Sequence, residues 1–403
     1  MKHVCGDTHL VSCELNGVLQ GKHILEGSNL LLKMRKDKED IKPVAANELP
    51  PEFKKFDKPF GLEQHVFNSI FGGYITHGCM LLCFLYLYPF GIVSPWSIIP
   101  SIMYGYIGGL GITVGCHRYW THKTFKANRP MQVLLMLMQT VSMQYPIFKW
   151  CRDHRVHHKY TDTNADPHSA ARGFWFSHIT WLFQPKHPEV EEKLKIIDIS
   201  DLARDPIVRF QSKYYWEIFS VVFYIIPMLL FKWMYPDLTL FQNFILQHTR
   251  YGVSLHFTFL VNSVAHMWGD KPYDKDITSS ENSLVSLFAV GEGWHNYHHT
   301  FPWDYKTAEF GYKINFSTMF IHFFAMIGWA YDLKTVSHKL LVDRINRTGD
   351  GSHPLFNHNH DHTNNNDSKQ SETSLPTWGW GDKNLNKEDV VITETLYKSK
   401  RRG

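Results

Sequence analysis

The sequence predicts an all-α integral membrane protein with a histidine-rich site on its cytosolic side. Three observations carry this. Four apolar stretches are long enough to cross a bilayer. Lys and Arg are distributed unevenly over the segments between them. Three histidine clusters all fall on the basic side of the resulting topology.

A bilayer core takes about 20 apolar helical residues to cross. The candidate spans run over about 67–93, 95–115, 216–235 and 241–265. The first contains Cys79-Met-Leu-Leu-Cys-Phe-Leu-Tyr-Leu-Tyr88. The second carries Gly105, Gly108, Gly109 and Gly111, which permit close helix packing. The fourth includes the polar residues His248, Arg250, His256 and Asn262. The hairpin loop around Tyr88–Pro95 has no Lys or Arg, and the one around Lys232–Pro236 has one. Residues 1–66, 117–215 and 266–403 are rich in both, which predicts that both termini and the large central loop are cytosolic. Two further apolar stretches, Met131–Phe148 and Phe316–Tyr331, are expected to lie at the interface, because a span at either would split the clusters across the membrane. The predicted organisation is a polar cytosolic segment over 1–66 without a signal peptide, a membrane domain over 67–340, and a low-complexity, disordered cytosolic tail over 341–403.

Composition narrows the function. The mean hydropathy of −0.27 is mildly negative, so the membrane reading rests on how apolar residues cluster. A net charge of +4 on 403 residues, with no basic stripe interleaved with aromatics, argues against nucleic acid. The six cysteines (Cys5, Cys13, Cys79, Cys83, Cys116, Cys151) include no C-x-x-C, which removes zinc-ribbon and thioredoxin readings. Cys116 and Cys151 lie near histidine clusters, but the histidines suffice without them.

Those clusters are His117-Arg-Tyr-Trp-Thr-His122, His154-Arg-Val-His157-His158 and His295-Asn-Tyr-His298-His299. On a helix, residues i, i+3 and i+4 share a face, so each HxxHH is expected to aim three imidazoles at one point. His117 and His122, five apart, would point about 140° apart on a continuous α-helix, so the helix is expected to end between them. Imidazole suits iron, copper, nickel and zinc. A zinc ion takes three or four protein ligands, so eight imidazoles fit two metals. No HExxH is present. Glu292-Gly-Trp-His295 matches the Glu-x-x-His motif of soluble di-iron bundles, but its Gly-rich setting makes coincidence the expected reading. His266 closes the fourth apolar stretch and is a ninth candidate ligand, with Asn262 one turn earlier on the same face.

Residues 60–340 resemble the membrane-bound fatty acyl-CoA desaturases of the stearoyl-CoA Δ9 type, in an insect-like style. The resemblance is carried by Gly111-Ile-Thr-Val-Gly-Cys-His-Arg-Tyr-Trp-Thr-His122, Trp150-Cys-Arg-Asp-His-Arg-Val-His-His158, Ala165-Asp-Pro-His168, Asn262-Ser-Val-Ala-His266 and Gly291-Glu-Gly-Trp-His-Asn-Tyr-His-His-Thr-Phe-Pro302. It implies four transmembrane helices beneath a cytosolic helical cap that holds a di-iron site. The implied ligands are His117, His122, His154, His157, His158, His266, His295, His298 and His299, with Asn262 acting through water. His168 and His178 match non-ligand positions. The implied cofactors are two Fe2+ ions with dioxygen as co-substrate, and no catalytic residue is implied beyond the ligands. The implied partners are a fatty acyl-CoA, membrane lipid, cytochrome b5 and its NADH-dependent reductase, in the endoplasmic reticulum membrane. The implied reaction places a cis double bond in a saturated acyl chain, usually at carbon 9. Arg152, Asp153 and Lys186 match positions that contact the CoA carrier. Gln144, Trp150 and Thr258 match positions lining the tunnel bend.

The chemistry is consistent with that. An unactivated methylene has no acidic proton, so acid–base catalysis cannot start the reaction, whereas a redox-active metal with dioxygen can. Departures bear on selectivity. Gln144-Tyr145-Pro146 stands where Gln-Asn-Asp is usual, and Pro146 is expected to break the preceding helix. Pro185 stands where a basic residue is often found. Gly105 and Gly109 leave room at the tunnel's far end. A different double-bond position, such as Δ11 in pheromone-type enzymes, is therefore a live alternative, and a membrane di-iron hydroxylase is a more distant one.

Overall fold

The computed structural model describes residues 49–57, 61–311, 313–357 and 375–399. Cys5, Cys13, the histidines at 358, 360 and 362, and Asn366 lie outside the described residues.

Among the described residues, three helices are long and apolar enough to cross a membrane: α1 (Leu62–Leu87), α2 (Pro95–Thr121) and α5 (Tyr215–Met234). Their outward faces carry exposed Leu81, Leu85, Ile99, Met103, Leu229 and Trp233, an apolar belt suited to burial in lipid. A fourth long helix, α6 (Leu240–Met267), starts with a capping box between Thr239 and Gln242. At 28 residues it is about 42 Å long. It is less apolar because Asn243, Gln247, His248 and Arg250 are buried along its inner face.

Between α2 and α5 lie α3 (Arg129–Val141) and α4 (Ile147–Lys159). The stretch 131–148 is therefore two helices and not one. The helix ends at Val141, and Met143 and Tyr145 take positive φ values of 53° and 65°. Pro146 then caps the start of α4 in an extended conformation. The proline starts a helix here; it does not break the one before it. One face of α3 (Met131, Leu135, Met136) enters the main core with Val114 and Trp120 of α2 and Phe148 of α4. Gly108 and Gly111 let α2 approach α3 closely: a Cβ on Gly111 would overlap the backbone of Gln139.

After α6 come α7 (His295–Thr300), α8 (Phe316–Met326) and α9 (His338–Thr348). Phe316, Met319, Phe323 and Met326 form an exposed apolar stripe on α8, while Ile321, Phe324 and Ala325 face inward. The strands are minor. β1 (Lys126–Ala127) pairs with β2 (Ala330–Tyr331), and β3 (Leu333–Thr335) pairs with β4 (Glu394–Leu396).

Parts of both ends pack onto the body, and at the C-terminal end this departs from the expected disorder. Within 1–66, Leu49 and Phe53 enter the main core, and Phe53 stacks on Phe148 at 4.1 Å. Within 341–403, residues 375–399 fold onto the body through β4 and the helix α10 (Lys387–Ile392). The Asn- and His-rich composition masks the buried anchors Trp378, Leu385 and Val390.

Gly111→Ala is expected to destabilise the protein by about 3 kcal/mol, because backbone must move to admit the methyl. Gly78→Ala, whose Cβ would meet nothing within 4 Å, is expected to be neutral or stabilising by up to about 1 kcal/mol. Thermal melting in detergent checks the pair; equal midpoints would contradict the packing described.

Candidate metal centre

α2 does not end between His117 and His122. From Gly111 to Thr121 it winds as a π-helix, and the His122 amide donates to the His117 carbonyl at 3.0 Å. Bonding from i to i+5 brings residues five apart to nearly the same face. The two rings consequently sit 4.7 Å apart, centroid to centroid.

The HxxHH motifs also behave differently from expectation. Neither aims three rings at one point. His117, His122, His154, His158 and His298 form one group, and His157, His266, His295 and His299 form the other; in each group every pair of donor atoms lies within 4.8 Å. In α4 the i/i+4 pair His154/His158 serves the first group and His157 the second. In α7 the i/i+4 pair His295/His299 serves the second group and His298 the first. The two helices thus bridge both groups, and His158 stacks on His299 at 4.2 Å between them.

The ring nitrogens point inward. The Nε2 atoms of His117 and His298 are 2.8 Å apart, those of His298 and His158 3.0 Å, and those of His154 and His122 3.2 Å. In the second group His295 Nε2 lies 3.0 Å from both His266 Nε2 and His299 Nε2. Ligands at about 2.1 Å from one ion and at right angles to each other are about 3 Å apart, so this spacing fits one metal per group.

The opposite ring edges are anchored. His157 Nδ1 meets Asp166 at 2.9 Å, His266 Nδ1 meets Asp162 at 3.0 Å, and His117 Nδ1 lies 2.8 Å from Glu292. His122 Nδ1 donates to the Trp378 carbonyl at 2.5 Å. Such partners fix the tautomer that leaves Nε2 free for metal. Asp166 is held by the amides of Asp162 and His168, and Glu292 by the fully buried Arg118. Burial, and then the neighbouring rings, push His122, His154, His158, His295, His298 and His299 well below the ordinary imidazole range. Burial also disfavours charge on His157, but Asp166 overrides it and raises that ring. An all-imidazole donor set, free of thiolate, suits iron, copper, nickel or zinc. Cys151 donates to the Cys116 carbonyl, and among the described residues neither joins a donor group.

A cavity of about 1060 Å³ runs from this centre into the helices. His117, His154, His295 and Asn262 are in its wall, as are Gln144, Trp150, Asp153 and Thr258. Gln144 Nε2 donates to Thr258 Oγ1 at 3.0 Å, and the Trp150 ring lies 4.8 Å from His154. Arg152 and Lys186 are not in the wall. Arg152 is buried and paired with Asp57, and Lys186 pairs with Asp153. The far end passes Gly105 and Gly109 to reach Tyr88, Ile98 and Ser101. Tyr145 replaces the missing asparagine with a hydroxyl that accepts from Asn68 Nδ2 at 3.1 Å.

Sequence reasoning missed several residues. Asp162 and Asp166 were legible only as acids close to an HxxHH. Glu292, whose Glu-x-x-His match reads as coincidence in the sequence, lies against His117 and anchors it. Lys149 lies in the cavity wall one turn before Asp153, and burial with nearby Lys186 lowers it to about 8. Trp378 carried no signal.

The family model described as fatty acid desaturase matches residues 94–309. The chain is 49% identical over 295 residues to an acyl-CoA Delta-9 desaturase of Acheta domesticus, covering 73% of this chain and 76% of that one. It is 42% identical to an acyl-CoA Delta12-desaturase of the same species over 88% of this chain and 92% of that one. It is 41% identical to an acyl-CoA Delta(11) desaturase of Trichoplusia ni over 83% and 90%. This chain belongs to the fatty acid desaturase family. It is an oxidoreductase of the desaturase class, with a histidine cluster able to bind metal.

Asp166→Asn, which removes the charge holding His157, is expected to weaken metal binding at the four-histidine group by about 10- to 100-fold. Competition with a chelator checks this; unchanged affinity would show that Asp166 does not orient a ligand.

Proposed function

We propose that this chain is an oxygen-dependent fatty acyl-CoA desaturase that places a cis double bond at carbon 9, using two irons and two electrons from cytochrome b5. The observation that carries the reading is the cavity wall itself. One apolar channel runs beside both histidine groups, with the Gln144–Thr258 pair and Trp150 where it passes the first.

On this reading the ligands are His117, His122, His154, His158 and His298 at one iron and His157, His266, His295 and His299 at the other. Asn262, on the wall one turn before His266, contacts the second through water. Bound iron supplies the dioxygen-dependent oxidation that removes one hydrogen from each of two adjacent methylenes. The chain's own residues do the rest. α1, α2, α5 and α6 cross the membrane, and α4, α7 and the loops around them form a cytosolic cap. The apolar wall takes the acyl tail out of water. Gln144 and Thr258 set the level at which the chain passes the metals. Lys149, Arg152 and Lys186 together outnumber the partner carboxylates Asp57 and Asp153, which leaves net positive charge for the anionic CoA carrier. Both termini are cytosolic and the membrane is that of the endoplasmic reticulum. Asn315-Phe-Ser317 has the pattern of an N-glycosylation acceptor, and the buried Asn315 side chain, which caps α8 and donates to the Lys306 carbonyl, accords with a site that carries no glycan.

Relatives named for Δ9, Δ11 and Δ12 activities at similar identity favour one second reading, a desaturase of another register. Expression in desaturase-deficient yeast fed saturated acids of several lengths, with product double bonds located by mass spectrometry, decides between them. We expect a cis-9 product. A product at another carbon would overturn the register alone, and a hydroxylated product would overturn the reaction.

A further inference from the structure

The family match stops at residue 309, yet one anchor of the metal centre comes from residue 378. Residues 375–399 run back over the five-histidine group and hold His122 by its backbone and its ring. The Trp378 carbonyl accepts from His122 Nδ1 at 2.5 Å, and the Trp380 amide donates to the His122 carbonyl at 2.9 Å. Gly379, at a φ of 129°, packs so closely that an added Cβ would sit 2.8 Å from the His122 Cα and carbonyl oxygen.

The segment is itself fastened independently. The Trp378 ring is buried in the main core, with the Arg155 guanidinium 4.0 Å from its centroid. Asp382 accepts from the Trp378 amide at 2.9 Å and pairs with Lys159 at 3.0 Å, one residue beyond His158. β4 pairs with β3. These contacts tie the segment to the end of α2 and to α4, two of the three helices that supply the first group.

We infer that residues 375–399 form a strap whose Trp378 carbonyl is a positioning group for His122, so that the five-histidine site depends on a part of the chain outside the matched family region. A peptide carbonyl fixes the Nδ1–H tautomer as a carboxylate would, and it leaves Nε2 facing the metal. The inference rests on the proposed metal reading.

The test uses the full-length protein loaded with iron. Gly379→Ala pushes the strap off His122 while leaving all nine histidines in place. We expect iron to fall from two per chain towards one, with loss to a chelator at least tenfold faster at the first site and unchanged at the second. Trp378→Phe keeps the carbonyl, and we expect it to retain both irons. Wild-type retention of both irons in Gly379→Ala would overturn the strap alone. So would parallel loss of both irons with a lowered melting point, which marks a general structural effect. A wild-type protein that binds no metal overturns the metal reading, and the strap with it.

Discussion

Nine imidazoles must be buried together, uncharged, with one nitrogen each turned inward, and the rest of the structure answers to that requirement. A buried polar group without a partner is costly, and a protonated ring could not ligate. The chain meets both demands from the rear. Asp162, Asp166, Glu292 and the Trp378 carbonyl hold the Nδ1 edges of four rings. Burial and mutual repulsion keep most of the others neutral. What remains is a set of Nε2 atoms about 3 Å apart, facing inward.

This requirement accounts for several local features. The π-helical stretch from Gly111 to Thr121 lets one helix supply both His117 and His122. The split use of each HxxHH locks α4 and α7 into one rigid bridge between the two groups. The loop after α4 exists in part to return Asp162 and Asp166 beneath His266 and His157. Arg118 is fully buried because Glu292, committed to His117, needs its own counter-charge; it also donates to the Tyr305 carbonyl and Thr318.

Much of this was legible in the sequence because it is periodic or clustered. The three long apolar helices among the described residues follow from hydropathy alone. α6 follows less clearly, since its inner face is polar. The nine histidines were legible as candidates because metal chemistry demands a residue type. How they divide was not, because a helical-face argument treats i, i+3 and i+4 as one direction, and here the i+3 ring turns to the other group. The π-helix was hidden because local propensity does not distinguish it from an α-helix. The anchors at Asp162, Asp166 and Glu292 are ordinary acids until the fold places them. The Trp378 anchor is a backbone carbonyl, which any residue carries, so no side-chain pattern could reveal it. Arg152 and Lys186 match carrier-contact positions by resemblance alone; the structure pairs each with a carboxylate and adds Lys149 in the cavity wall.

The most direct test is X-ray absorption at the iron edge on the purified, iron-loaded protein. The account predicts four to five nitrogen neighbours per iron with the outer-shell scattering of imidazole, matching the two histidine groups, and no sulfur at either iron. A shell dominated by carboxylate oxygen, or any iron–sulfur distance, would contradict it.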